Sequence, residues 1–359
     1  MNALARLLVR RIAMTGPMTV ADYMANALGH PQHGYYTTRD PLGRDGDFIT
    51  APEISQIFGE LIGLWSVAVW EKIGSPVRFN LVEFGPGRGT LMVDALRAAE
   101  QVPAFLDAAN LVLIETSPIL RNSQADKLAA YDPTWCDSLE AVPDGPILAI
   151  ANEFFDTLPV HQFIRTSNGW RERLVGWDEN DLQFMLSAGT TPFANLLTPD
   201  IQSASLEGAI AEVQPLGLTI TAALGERIAA NGGAALIIDY GHCESAPGDT
   251  LQAVHAHEPQ DVLKAPGEAD LTVHVDFAAL RRSVDSNVSV WGPVAQGAFL
   301  QRLGIALRAS SLRKNATPLQ SARIASGVER LIAPDQMGTL FKVLCLTRAG
   351  LSQLPGFEE

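Results

Sequence analysis

The segment LVEFGPGRGT, residues 81–90, constrains this chain more than any other. An apolar run carrying Glu83 meets Gly85, Gly87 and Gly89, and a helical pattern begins at Thr90. Glycine takes positive φ readily and lets the backbone approach a ligand closely. The alternation continues beyond this turn. FNLVEF reads as a buried strand and residues 90–100 as a helix. ANLVLIE is a second strand and residues 118–131 a second helix. Trp135 and Cys136 form a short third strand, and GPILAIANE a fourth. Strands alternating with helices predict an α/β fold, a parallel sheet with helices on both faces.

The dinucleotide fingerprint G-x-G-x-x-G would need its third glycine at position 90, which is Thr90. The spacing instead resembles the first motif of class I methyltransferases, an acid followed by G-x-G-x-G. That likeness implies that Glu83, Gly85, Gly87 and Gly89 hold the amino-acid part of S-adenosyl-L-methionine. A second acid is then expected at the next strand end, where it can accept two ribose hydroxyls. LVLIE puts Glu115 there. In the same fold an acid after the third strand lies near the adenine amino group, and Asp137 is the candidate. Asp137-Ser138 reads equally well as a helix cap.

The fourth strand ends in AIANEFFDTLPV, placing Asn152, Glu153 and Asp156 where the fold brings substrate to the methyl group. Glu153 and Asp156 are three apart, so on a helical turn they share a face. Two carboxylates there can grip a guanidinium bidentately, or simply cap a helix start. The long loop GHPQHGYYTTRDPLGRDGDFITAPE is rich in Gly, Pro and Asp. Long loops in compact proteins are usually functional or disordered. The functional reading closes this one over the cofactor, with Gly46 and Thr50 lining it. Pro52 suits a helix start, and Glu53 is either a helper at the substrate or a first-turn acid. Asp239-Tyr240-Gly241-His242 ends a buried strand, which makes His242 a tentative substrate residue. ADLTVHVDF alternates, as a strand with one wet face does. The spacing of His255, His257 and His274 is uncharacteristic of a metal site, and no metal is expected.

After Pro159 the rhythm breaks. VHQFIRTSNGWRERLVGW reads as a β-hairpin turning at Ser167-Asn168-Gly169. Residues 178–206 are mixed, and residues 206–231 read as a helix interrupted at Pro215. GGAALIIDYG, NVSVWG and FKVLCLTR are further strands, with helices at 276–284, 294–308 and 317–331. The organisation expected is a helical region with a cofactor-covering loop over 1–75, a core over 76–160 and 231–359, and an inserted α+β substrate lobe over 161–230. The first residues carry Arg6, Arg10 and Arg11 beside Leu4, Leu7, Leu8 and Ile12, an amphipathic helix or a transit peptide.

Twenty-six basic residues against 40 acidic ones give a net charge of −14. That argues against a nucleic-acid partner and suits a basic peptide segment. No apolar run approaches the roughly 18 residues of a membrane span. Cys136, Cys243 and Cys345 lie far apart, excluding a disulfide framework, and each reads as a small core residue.

Seven segments occur together and in order: GDFITAPEISQIFGE, LVEFGPGRGT, NEFFDTLPV, IIDYG, DLTVHVDF, QGAFL and MGTLFKVL. They resemble the MidA-type family of S-adenosylmethionine-dependent methyltransferases over residues 15–346. The mitochondrial members of that family are complex I assembly factors that act as protein arginine methyltransferases. The resemblance implies a class I methyltransferase fold with a Rossmann-like sheet, S-adenosyl-L-methionine as cofactor, and symmetric dimethylation of an arginine in a complex I subunit. It implies a mitochondrial matrix location for a eukaryotic member and a cytoplasmic one for a bacterial member, and it leaves a homodimer open. One departure is Thr157, where the family often has Ala. Methylation of a small molecule and a cofactor-binding assembly chaperone without turnover stay open as alternatives.

Overall fold

The computed structural model describes residues 1–39 and 49–358. They form two compact units. A sheet unit gathers Ile49–Phe155, Ile220–Cys243 and Leu280–Glu359. A second unit gathers the described part of Met1–Phe48 with Asp156–Thr219 and Glu244–Ala279.

The sheet unit is built on β1 (Phe79–Phe84), β2 (Ala109–Ile114), β3 (Thr134–Cys136), β4 (Ile147–Asn152), β5 (Gly233–His242), β6 (Val288–Ala295) and β7 (Phe341–Arg348). They lie in the order β3-β2-β1-β4-β5-β7-β6. The first five pair in parallel. Strand β7 is antiparallel to both β5 and β6. All six residues of β1 and of β4 are buried, which is why both read as unbroken apolar runs. A dinucleotide fold would run 3-2-1-4-5-6. Here an antiparallel strand stands between the fifth and sixth, and the sheet is that of the expected methyltransferase class. The chain leaves β1 toward β2 and β3, then returns to β4 and β5. The reversal makes the carboxyl ends of β1 and β4 the switch point where such sheets bind ligands.

Helix α1 (Gln56–Lys72) lies against α2 (Thr90–Ala99) at unusually close range. A Cβ on Gly63 would stand 2.2 Å from the Ala95 carbonyl oxygen, and one on Gly59 would stand 2.6 Å from the Asp94 Cβ. Only glycine permits this approach. Glu60 sits between these glycines and is buried. It accepts from Arg308 of helix α4 (Ile305–Arg313) at 2.7 and 3.0 Å and from Arg97 of α2 at 3.2 Å, tying three helices together. The two arginines hold its carboxyl below the ordinary value although burial opposes them. Helix α3 is Pro118–Leu128, with Ser117 capping it through the Leu120 N–H; the expected helix ran on to residue 131, but Ala129–Tyr131 tightens into a 3-10 turn.

In the second unit the helix Ala3–Thr15 buries Leu4, Leu8 and Ile12 of the apolar face read from the sequence, while Leu7, expected on the same face, is exposed. They pack with Val20, Tyr23, Met24, Val160, Val175 and Val273. Thr19 caps the helix Val20–Gly29 through the Asp22 N–H. The hairpin pairs His161–Thr166 with Gly169–Trp177, turning at Ser167 and Asn168, so Gly169 is already a paired residue.

Four expectations need correction. Residues 206–231 are not one helix: Ile210–Val213 is a strand, and Pro215 starts the helix Pro215–Asn231, where its missing N–H costs nothing. Residues 294–308 break into two helices at Gly304, whose φ is 87°. ADLTVHVDF is not a strand with one wet face, because Asp270–Thr272 is buried throughout. Cys345 is a core residue, but Cys136 and Cys243 are only partly buried. Among the described residues no helix is long and apolar enough to cross a membrane.

Candidate active site

The site is assembled where the parallel strands end. The Gly85 N–H bonds to the Ile114 carbonyl of β2 at 2.9 Å, and the Glu115 N–H to the Cys136 carbonyl of β3 at 3.1 Å. The Glu153 N–H bonds to the Ile238 carbonyl of β5 at 2.9 Å. The last ladder bonds thus hold the glycine turn, Glu115 and Glu153 along one rim of the sheet.

All three glycines of the turn have left-handed backbone, with φ of 56° at Gly85, 53° at Gly87 and 75° at Gly89. A Cβ at Gly85 would come within 2.9 Å of the Phe154 ring. The turn therefore demands glycine for conformation and, at Gly85, also for space. Thr90 opens α2, and its hydroxyl donates to Glu53 Oε1 at 2.6 Å. Glu53 thus lies beside the glycine turn, on the short helix Ala51–Ile54 that follows Thr50. Thr50 makes no side-chain cap bond there. Gly46 lies outside the described residues.

Glu83 and Glu115 are both buried, at 3% and 8% exposure. Burial, and then the charge of Glu115, push the Glu83 carboxyl up to about 8. Glu83 Oε2 is buried without a hydrogen-bond partner among the described residues. Glu115 is better provided: the Ser117 N–H reaches Oε1 at 2.8 Å, and the Gln124 amide reaches Oε2 at 3.3 Å. Burial raises the Glu115 carboxyl as well, and those donors oppose the rise. Asp137 follows β3 but is no helix cap, since the short turn beginning at Leu139 has no side-chain cap. It is 82% exposed and pairs with Arg121 at 2.6 Å, while Arg121 also donates to the Glu115 carbonyl at 2.7 Å.

Beyond β4 the geometry departs from the expected helical turn. Glu153 has φ of 50°, a left-handed conformation rare outside glycine. Only Phe155–Thr157 forms a 3-10 turn. The spacing of three therefore does not put Glu153 and Asp156 on one helical face. Glu153 Oε1 accepts from the Ala51 N–H at 2.8 Å and from the Asn152 amide at 3.1 Å. Asn152 Oδ1 is buried without a partner among the described residues. Asp239, fully buried, accepts from the Phe155 N–H at 3.0 Å and fixes the path of this segment. His242 closes β5.

Within the second unit, Asp156 and Asp270 both flank Tyr36. The Tyr36 hydroxyl donates to Asp270 Oδ1 at 2.9 Å. Burial, then Asp270, then Asp156, drive its pKa far up. Asp156 and Asp270 are themselves about 95% buried. In the sequence Asp270 stands only in an alternating stretch, and nothing local joins it to Tyr36, 234 residues away. Gln124 was missed altogether, being a single polar residue on a helix without a motif.

A doubly wound sheet, three left-handed glycines after β1, and a buried acid at each of the first two strand ends define a class I methyltransferase. The buried, unpartnered oxygen of Glu83 beside the glycine turn fits a polar ligand such as S-adenosyl-L-methionine. The chain belongs to a family of S-adenosyl-L-methionine-dependent methyltransferases, whose profile matches residues 61–294. It is similar to "Protein arginine methyltransferase NDUFAF7, mitochondrial" of Mus musculus, 41% identical over 369 residues that cover 95% of this chain and 83% of that protein. The Homo sapiens protein of the same name is 40% identical over 369 residues, 95% of this chain and 82% of that one. A Burkholderia thailandensis protein crystallised with S-adenosyl-homocysteine has a TM-score of 0.81 at 26% identity, covering 99% of this chain and 93% of that one.

Proposed function

We propose that this methyltransferase modifies an arginine of a protein substrate, dimethylating it symmetrically, and that the substrate is a subunit of respiratory complex I whose assembly it aids. The observation carrying this reading is identity of about 40% across nearly the whole chain to proteins named as arginine methyltransferases. The chemistry of the rim supports it. Bound S-adenosyl-L-methionine supplies an activated methyl group on a sulfonium. The residues assigned to hold it are Glu83, Gly85, Gly87 and Gly89 for the amino-acid part, Glu115 for the ribose, Asp137 for the adenine side, and Gly46 and Thr50 for cover.

The protein's own work is positioning. An arginine arrives charged, because its pKa exceeds about 12. Glu153 and Asp156 are assigned to orient the guanidinium and to balance its charge, with Asn152, Glu53 and His242 as helpers. Glu153 is anchored through Oε1 by Ala51 and Asn152, which restricts the side chain in advance of substrate. The segment 161–230 is assigned to substrate contact. The reading also includes a homodimer and a location in the mitochondrial matrix or bacterial cytoplasm.

Mass spectrometry of complex I subunits from cells with and without the gene is the test. Symmetric dimethylarginine that disappears with the gene and returns with the wild-type chain supports the reading. Unchanged methylarginine overturns it. In the same assay Glu153→Gln and Asp156→Asn should slow methylation at least about tenfold while leaving cofactor affinity near normal.

A further inference from the structure

Helix α3 buries one stripe, Leu120, Gln124 and Leu128, at i, i+4 and i+8. Two members are apolar, as a helix facing a sheet requires. The middle one is a glutamine with no exposure at all. Burying an amide is costly unless its bonds are made, and a leucine at 124 would have filled the stripe without that cost. The bonds of Gln124 show what the amide supplies.

Its Nε2 donates to the Gly87 carbonyl at 2.7 Å and to Glu115 Oε2 at 3.3 Å. Its Oε1 accepts from the Trp135 indole N–H at 2.8 Å. The orientation of the amide is therefore fixed. Trp135 can only donate, so it selects the oxygen and turns both amide protons toward two acceptors. One acceptor belongs to the middle glycine of the turn and the other to the strand-end acid. The backbone of α3 also packs at the turn, since a Cβ on Gly89 would lie 3.7 Å from Gln124 Cα.

We propose that Gln124 is a positioning residue of the cofactor site, one that fixes the glycine turn and the Glu115 carboxylate in register with each other. Gly87 has a left-handed backbone, with φ of 53°, and the Glu115 carboxylate is buried. With Gln124 present, Glu115 has Oε1 on Ser117 and Oε2 on the amide, so its plane is set and its remaining lone pairs face in fixed directions. The inference rests on the assignment of Glu115 and the glycine turn to S-adenosyl-L-methionine. None of the three bonds reaches the segment after β4, so Gln124 should affect cofactor binding and leave transfer itself alone.

The test uses the full chain, calorimetry with S-adenosyl-homocysteine, and steady-state methylation. Gln124→Met keeps the volume and loses all three bonds. Gln124→Glu keeps the acceptor for Trp135 but has no N–H to give. Both should weaken S-adenosyl-homocysteine at least about tenfold, the effect of losing a hydrogen bond to a charged group. Both should raise the KM for S-adenosyl-L-methionine equally, with kcat at saturating cofactor within about threefold of wild type. Gln124→Glu should bind no better than Gln124→Met. If Gln124→Glu restores wild-type affinity, the glutamine serves only to satisfy Trp135 and the proposal falls. It also falls if kcat drops at unchanged KM. Failure of the wild-type chain to bind S-adenosyl-homocysteine would instead remove the cofactor assignment on which the inference stands.

Discussion

Glu83 offers a sharp test of the rim electrostatics. Its carboxyl is displaced from 4.5 to about 8, first by burial and then by the charge of Glu115. At about 1.36 kcal/mol per pH unit, that displacement corresponds to about 4–5 kcal/mol. The sign follows from proton counting. Between pH 4.5 and about 8 the folded chain holds a proton on Glu83 that the unfolded chain has released. Stability attributable to this group is therefore greatest at or below pH 4.5, falls as pH rises, and levels off above about 8. Glu83→Gln keeps the shape and cannot ionise, so it should remove that slope. Water reaching Oε2 reduces the ceiling. The stability of the variant relative to wild type should rise by at least about 2 kcal/mol between about pH 5 and about pH 8.5. Denaturant unfolding of both proteins, without cofactor, measures the difference at each pH. Parallel stability profiles would refute the argument and mean that Glu83 is solvated or ionised in the folded chain.

Gly87→Val should abolish S-adenosyl-homocysteine binding in calorimetry while circular dichroism stays that of the folded chain, because a β-branched residue is badly strained at φ of 53°. Glu115→Ala should weaken the same ligand by about 1–3 kcal/mol, read as a shift in Kd. Gly63→Ala should cost about 1–3 kcal/mol or more, seen as a lower Tm, because its Cβ would meet the Ala95 carbonyl at 2.2 Å and backbone cannot swing aside as a side-chain end can.

The central strands of the sheet were legible because they are buried on both faces. Its strands are short apolar runs, and each ends at a turn or an acid that the chain must place at the rim. That is how the positions of Glu83 and Glu115 on the first two strands could be read from the sequence, while the partly exposed β3 was legible only as Trp135 and Cys136. Local pattern failed where tertiary contacts decide. Ile210–Val213 is a strand because it pairs with His161–Ile164, and nothing within residues 206–231 signals that partner. Residues 244–279 join 1–39 in one unit through contacts such as Tyr36 with Asp270, which span more than 200 residues. Glu153 was placed on a helical turn by its spacing. Its left-handed φ is set by ladder and side-chain bonds to β5 and Ala51, not by its own preference. Gln124 carries no motif, and its meaning lies in three partners on three elements.

The position of β7 bears on how this chain is made. Residues 341–348 are inserted between β5 and β6, and Val343 to Leu346 are fully buried there. During synthesis the parallel strands emerge first, and β5 must wait about a hundred residues for its antiparallel neighbour. Until then β5 presents an open apolar edge, the surface on which nascent chains pair wrongly with one another. A chain ending before Phe341 would have β6 unpaired, β5 paired on one edge only, and every residue of the glycine turn already in place. Completion of the sheet therefore depends on residues 341–348, far in sequence from the glycine turn.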